Sequence, residues 1–348
     1  MKNRGEDFQY NVALLGASTL KGKEVKALLE ERGFPAGRFG LLGGTEPGEE
    51  SAGPEEEPDV LQPVSRESFK DMSFAIFATS PAFATEHWQM AEESECEIID
   101  LSYGLETLPQ ARLRAPMVEC LLGSGPTPQA LSESRISVVA HPAAMAIAGI
   151  LGQLAQRFSI VRSAMTVYEP VSERGQEGVG ELHRQTVGLL SFQEIPKRVF
   201  DSQVAFNLLA SGSGHGRPTL PEVQNRIAHH VRELLQGRVP QPALRLLQAP
   251  IFFGYALCGF VELKEPASTE EIEKVLHRKP FAVSPDGENQ PSVLEAAGSD
   301  EVALGLVERD PACAAGYWIW GVMDNVRLAA LNAVEIAEEI VFLGSYRR

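Results

Sequence analysis

The stretch Arg135-Ile-Ser-Val-Val-Ala-His-Pro-Ala-Ala-Met-Ala-Ile-Ala-Gly-Ile150 constrains this chain more than any other. Ile136 to Ala140 is a short β-branched run, His141-Pro142 interrupts it, and small helix-favouring residues then continue unbroken from Ala143 into Leu151-Gly-Gln-Leu-Ala-Gln156. The pattern predicts strand, tight turn, helix. A helix that starts directly after a buried strand presents unpaired N–H groups and the positive end of its macrodipole, which suits an anion or a thiolate of lowered pKa. The residues best placed to use that field are Ala143 and Ala144. Neither can act as a nucleophile.

The chain opens on a second readable unit. Asn11-Val-Ala-Leu-Leu15 predicts a strand, Gly16-Ala-Ser-Thr-Leu-Lys-Gly22 a turn, and Lys23 to Arg32 a helix with Val25, Leu28 and Leu29 on one face; Phe39-Gly-Leu-Leu42 starts the next strand. This is a β-α-β unit of the kind that begins dinucleotide-binding domains. The glycine signature is partial: Gly16 permits the sharp turn and Gly22 close helix packing, but Thr19 stands where a middle glycine would admit a pyrophosphate. Ordinary cofactor binding and a relic fold without cofactor both fit these residues. At the tip of the second strand, Glu46 would repel a 2′-phosphate and could accept from a free ribose diol, so NAD is easier to accommodate than NADP. A plain charge in an acidic loop is the alternative.

Phe74 to Thr79, Cys96 to Asp100, Val118 to Leu122 and Ile136 to Ala140 read as further strands, with a helix over Thr85 to Glu93. Strands alternating with helices imply a parallel sheet with right-handed crossovers. Beyond the central helix the pattern changes. Ser159 to Tyr168, Gln248 to Leu263, Ala303 to Glu308 and Trp318 to Met323 predict antiparallel strands joined by long excursions, one carrying a helix near Pro221 to Leu235. The fold class expected is α/β: a Rossmann-type parallel sheet domain over residues 1–140, then an α+β domain over 141–324. The aromatic pair Trp318 and Trp320 suits either an intramolecular core or a sheet packed against a partner subunit. Residues 325–342 carry an apolar stripe and predict a helix that returns to the first domain.

At 348 residues the chain can hold two cores. A formal net charge of −16 argues against nucleic-acid and anionic-membrane partners, because both need a basic surface. Six of the acids, Glu46, Glu49, Glu50 and Glu55 to Glu57, crowd one Gly/Pro-rich segment that reads as a solvated loop. No apolar leader opens the chain and no run reaches ~18 uninterrupted apolar residues, so a soluble, cytoplasmic protein is expected. Cys96, Cys120, Cys258 and Cys313 show neither disulfide nor zinc spacing, so no metal is predicted and all four read as packing residues.

Gly16-Ala-Ser18, Val167-Tyr-Glu-Pro-Val-Ser-Glu-Arg-Gly175, Glu181-Leu-His-Arg-Gln-Thr186, Val204-Ala-Phe-Asn207, Trp320-Gly-Val-Met-Asp-Asn-Val-Arg327 and Leu331-Asn-Ala-Val-Glu-Ile-Ala337 occur in an order and spacing that resembles the aspartate-β-semialdehyde dehydrogenase family over nearly the whole length. The resemblance implies an NAD- or NADP-binding Rossmann domain completed by the helix at 325–345, with cofactor contacts from Gly16, Ser18, Thr19, Leu20, Gly22 and Thr79. It also implies a dimerisation domain, hence a homodimer, and a small-molecule ligand. The family's reaction interconverts an acyl phosphate and an aldehyde through a thioester, using a cysteine, a histidine and arginines.

At the matching positions this chain departs from the family. The cysteine of an N-P-N-C-[ST] turn becomes Ala144 in His141-Pro-Ala-Ala-Met145, and the glutamine of the next strand becomes Glu169. The arginine and histidine of R-x-P-x-x-x-G-H become Gln248 and Tyr255. The phosphate-gripping arginine lines up with Glu106, and a substrate-binding lysine with Asn225. The chain is similar in this to the Usg-like branch, which lacks the catalytic residues. Three readings follow: a silent homologue with no catalytic residue, an oxidoreductase of altered chemistry using Tyr255 and His141, or the family activity with Cys258 as thiol. An odd spacing from Tyr255 sets Cys258 on the opposite strand face and disfavours the third.

Overall fold

The computed structural model describes residues 9–43, 61–127, 129, 133–210, 218–284 and 290–345. The acidic segment with Glu46, Glu49, Glu50 and Glu55 to Glu57 lies outside the described residues. Two compact units divide the chain: Met1–Pro116, Gly125–Val139 and Ala329–Arg348 form one, and Met117–Ser124 with Ala140–Leu328 form the other.

The first unit runs β1 (Tyr10–Leu15), α1 (Leu20–Glu31), β2 (Ala36–Leu42), β3 (Phe74–Phe77), α2 (Pro81–Glu93), β4 (Glu97–Asp100) and β5 (Arg112–Arg114); after α3 (Pro116–Leu122), grouped mostly with the second unit, comes β6 (Ile136–Val139). Its sheet has the order β2-β1-β3-β4-β6-β5, and every pair is parallel. β3 and β6 are buried at every position, as strands covered on both faces must be. α1 lays Val25, Leu28 and Leu29 on the core. It approaches closely only because Gly22 has no side chain, since a Cβ there would stand 2.0 Å from the Gly16 carbonyl oxygen.

The run Val118 to Leu122, read above as a strand, is the helix α3. Pro116 starts it, and Met117, Val118 and Leu121 are buried while Cys120 is exposed, so the apolar spacing is helical. The place in the sheet goes to Arg112–Arg114, whose flanking arginines hid it. Cys120 is accordingly not a packing residue, whereas Cys96 is fully buried.

The second unit contains α4 (Pro142–Ala155), β7 (Ile160–Glu169), a 3-10 turn (Val171–Arg174), α5 (Gly175–Leu190), α6 (Leu220–Leu235), β8 (Ala243–Gln248), β9 (Tyr255–Leu263), α7 (Thr269–Leu276), β10 (Phe281–Val283), β11 (Val302–Leu304), β12 (Glu308–Arg309), β13 (Gly316–Met323) and the start of α8 (Asn325–Ser345). Residues Pro142 to Leu154 of α4 are all buried, so the helix is core on every side. The sheet, β10-β11-β13-β9-β7-β8 with β12 beside β13, is mixed. β7, β9, β13 and β11 pair antiparallel as expected, but β8 lies parallel to β7 and β10 parallel to β11. The β7-to-β8 connection carries two helices, which is what a parallel neighbour requires.

Two further strand readings are corrected. Gln248 to Leu263 is not continuous: Pro250 cannot join a ladder and Gly254 takes φ +86°, so β8 ends at Gln248 and β9 begins at Tyr255. Ala303 to Glu308 likewise splits between β11 and β12.

α8 continues into the first unit from Ala329. There Arg32 holds Glu338 bidentately at 2.9 and 2.7 Å, and the buried Arg114 of β5 pairs with Glu339. The helix thus returns to the parallel-sheet unit. Among the described residues no helix is long and apolar enough to cross a membrane.

Candidate functional site

In the first unit the turn from β1 to α1 is built around Thr19. Its hydroxyl caps α1 by accepting from Gly22 N at 3.0 Å, and lies 2.7 Å from the Ala78 carbonyl and 2.9 Å from that of Gly16. Where a middle glycine was missing, the threonine acts as an N-cap and ties two strand ends together. Ser18 Oγ beside it is sealed from solvent and meets no hydrogen-bond partner among the described residues. The Lys21 ammonium lies over the Tyr103 ring, 5.3 Å from its centroid. Tyr103 belongs to the turn after β4, which is folded by Asp100. That carboxylate accepts from Ser102 N at 2.7 Å, Ser102 Oγ at 2.5 Å and Leu105 N at 2.9 Å. Burial pushes its pKa up in spite of these bonds, with Glu106 adding a smaller push. Glu106 itself is a half-buried residue of this first unit.

In the second unit the structure brings Ala144, Tyr255, Glu169 and Gln248 to buried positions: Ala144 and Tyr255 are 0% exposed, Glu169 1% and Gln248 2%. Ala144 sits in the first turn of α4, and His141 is the N-cap. The imidazole Nδ1 accepts from Ala143 N at 3.3 Å, which leaves the proton on Nε2, and Nε2 stands 3.3 Å from the Tyr255 hydroxyl. The turn is fixed from a third side by His230 of α6, whose Nδ1 accepts from His141 N at 3.0 Å. Two histidines and a tyrosine, all nearly water-free, therefore hold the N-terminus of the central helix.

Gln248 and Glu169 meet because β8 and β7 are parallel and end together. Gln248 Nε2 donates to the Glu169 carbonyl at 2.8 Å and to that of Ala249 at 3.3 Å, which fixes the amide orientation and leaves Oε1 without a partner among the described residues. Beside them Asn325, fully buried, accepts from Ser172 Oγ at 3.2 Å and Gly254 N at 2.9 Å and donates to Glu173 at 2.8 Å. Asn225 is exposed on α6 and joins none of these contacts. Cys258 lies on the other sheet face, between Thr166 and Trp320, and burial raises its thiol pKa. That is the wrong direction for a nucleophile. No group of three or more His, Cys, Asp or Glu that could hold a metal occurs among the described residues.

Sequence reasoning missed His230, Asn325 and Arg174. His230 had a signal: it falls three residues after Ile227 and four before Leu234, on the apolar stripe of α6. A histidine there must be satisfied inside the core.

Comparison with known proteins adds the following. A family model described as semialdehyde dehydrogenase, NAD binding domain, matches residues 11–119, and one described as semialdehyde dehydrogenase, dimerisation domain, matches residues 151–328. A USG-1 protein homolog of Pseudomonas aeruginosa is 32% identical over 333 residues, 95% of this chain and 97% of its own. An aspartate-semialdehyde dehydrogenase of a Shewanella species is 27% identical over 96% of this chain and 98% of its own. The solved structure of a probable aspartate-semialdehyde dehydrogenase from Pseudomonas aeruginosa superposes with a TM-score of 0.83 at 31% identity, covering 96% of this chain and 99% of that one.

Removing the His230 ring orphans the buried His141 N–H. We expect His230→Ala to lower unfolding free energy by roughly 1–3 kcal/mol through that donor alone, and Asn225→Ala to change it by under about 0.5 kcal/mol. Urea denaturation of the two variants measures the difference; equal effects would mean the His230 bond does not hold the turn.

Proposed function

The chain belongs to the semialdehyde dehydrogenase family, and we propose that within it this protein is a catalytically silent member, a homodimeric cytoplasmic scaffold that keeps the fold without the acyl-transfer chemistry. The observation that carries the reading is Ala144, a fully buried methyl group in the first turn of α4, where the family's reaction needs a thiolate. Gln248 offers no cation to a dianionic substrate, and Glu106 stands where an arginine would grip phosphate. Tyr255 replaces the histidine that would transfer protons. Each loss weakens transition-state stabilisation, and without the nucleophile the covalent route does not exist.

Homodimerisation is supported by the outer face of the second sheet. Trp318, 40% exposed, packs on Phe260 at 5.2 Å between ring centroids, with Ala164, Thr166, Cys258 and Trp320 in the neighbouring registers. A largely apolar face of this kind suits a second copy of the same unit. NAD or NADP binding is supported by the fit of the first βα turn. The buried Ser18 hydroxyl and the start of α1 suit a phosphate, with Gly16, Thr19, Leu20, Gly22 and Thr79 holding the cofactor around it. When bound, the nicotinamide supplies hydride chemistry.

A second reading, an NAD(P)-dependent oxidoreductase of altered chemistry on a small-molecule substrate, is favoured by the Tyr255–His141 hydrogen bond. Such a pair can hold and release a proton without a covalent intermediate.

Purified protein, assayed for phosphate- and NADP-dependent oxidation of aspartate semialdehyde, is expected to give no turnover above background. Ala144→Cys is expected to stay as inactive, because the cations are still missing; turnover comparable with a working dehydrogenase would end the silent reading. Titration of NAD and NADP by calorimetry decides the second reading: with no binding at millimolar cofactor it has no basis. If a turnover is found, it requires Tyr255→Phe to lower kcat by at least about 100-fold. Trp318→Lys is expected to shift the protein from dimer to monomer in sedimentation velocity, and an unchanged dimer would move the interface elsewhere.

A further inference from the structure

Among the described residues of the second unit, Arg174 is a cation with buried N–H groups left unsatisfied. Arg174 closes the 3-10 turn after β7 and occupies the N-cap position of the 16-residue α5, without making a side-chain cap. Its guanidinium is always charged, yet among the described residues Nε and Nη1 are sealed from solvent and meet no hydrogen-bond acceptor. The residue as a whole is half-buried. The adjacent carboxylate is engaged elsewhere, since Glu173 accepts from Asn325 Nδ2 at 2.8 Å. The first N–H groups of α5 add positive potential at the same point, opposed in the first turn by Glu177.

The turn is not loose. Val171 N donates to the Ile251 carbonyl at 2.8 Å and Ser172 N to that of Phe252 at 3.1 Å, which pins it to the segment following Gln248. Arg174 therefore belongs to the end of the sheet where β7 and β8 stop and where Gln248 presents a neutral amide. Two desolvated N–H groups of a guanidinium without an acceptor are costly, and a carboxylate or phosphate is the group whose geometry it matches.

We propose that Arg174 is an anion-binding residue, and that the second unit takes a carboxylate or phosphate group there. This goes beyond the silent reading and does not depend on it. The anion comes either from a small molecule or from an acidic side chain of a second copy of this chain.

The test uses the full-length protein with Arg174→Gln and Arg174→Lys, in chloride buffer at constant ionic strength, with inorganic phosphate and succinate as probes. For a small-molecule anion, either probe raises the Tm of the wild type saturably by about 2–4 °C. Arg174→Gln then melts at or above the wild type without probe and gains nothing with it, and Arg174→Lys keeps a weakened response. For a second copy's carboxylate, added anion leaves the wild type unmoved while Arg174→Gln weakens self-association at least tenfold in sedimentation equilibrium. Wild type and Arg174→Gln behaving alike in both measurements would overturn the proposal. No turnover is measured, so its failure leaves the silent reading standing.

Discussion

A helix buried along its whole length still has to satisfy the N–H groups of its first turn, and in α4 that requirement is met by the His141 side chain folding back on Ala143 N. The contacts around this bond keep the turn and the imidazole oriented. His230 accepts the backbone N–H of the same residue, so α6 must lie against the start of α4. Tyr255 lies 3.3 Å from the far nitrogen, so β9 must begin there. The bond that caps the helix thereby fixes where a second helix and a strand can go.

The same arrangement disposes of the field that an N-terminus of this kind presents. A thiolate or a bound anion would draw on the dipole of α4; here a neutral ring nitrogen takes one donor and methyl groups fill the next two positions. The turn is a structural joint. Within the core His141 meets Ala143 N and the Tyr255 hydroxyl, and His230 holds His141 N, without any substrate.

How much of this was legible depended on whether local pattern or distant pairing decided the outcome. The strand, turn and helix at Ile136 to Ala155 could be read directly, because residues 136–140, the Pro142 break and the alanine-rich run all favour one conformation. The segment Val118 to Leu122 could not: five residues are too few to separate a buried helix from a buried strand by composition, and Pro116 was the only arbiter. Residues 243–248 escaped notice because β8 is an edge strand with Ala243 and Arg245 exposed, and its place beside β7 is set by a parallel pairing some eighty residues away. The family resemblance singled out Gln248 and Glu169 one by one, but their contact runs from a side-chain amide to a backbone carbonyl, which no spacing reveals. Asn325 was quoted only as part of a motif, although its three hydrogen bonds join the 3-10 turn, the residue before β9 and the start of α8.

The polar groups at the end of the second sheet show how neutral bonds set a corner. Gln248 carries no charge, and its amide directs both donor contacts to main-chain carbonyls, which makes that corner rigid. Glu169 lies buried beside it. A few residues further along, Glu173 accepts from Asn325, and the positive charge of Arg174 stands at the start of α5. A charge that lacks a partner in a low-dielectric setting costs more than a surface pair would return, whereas the neutral bonds centred on Asn325 and Gln248 join the 3-10 turn, the residue before β9 and the ends of β7 and β8 into one corner of the unit.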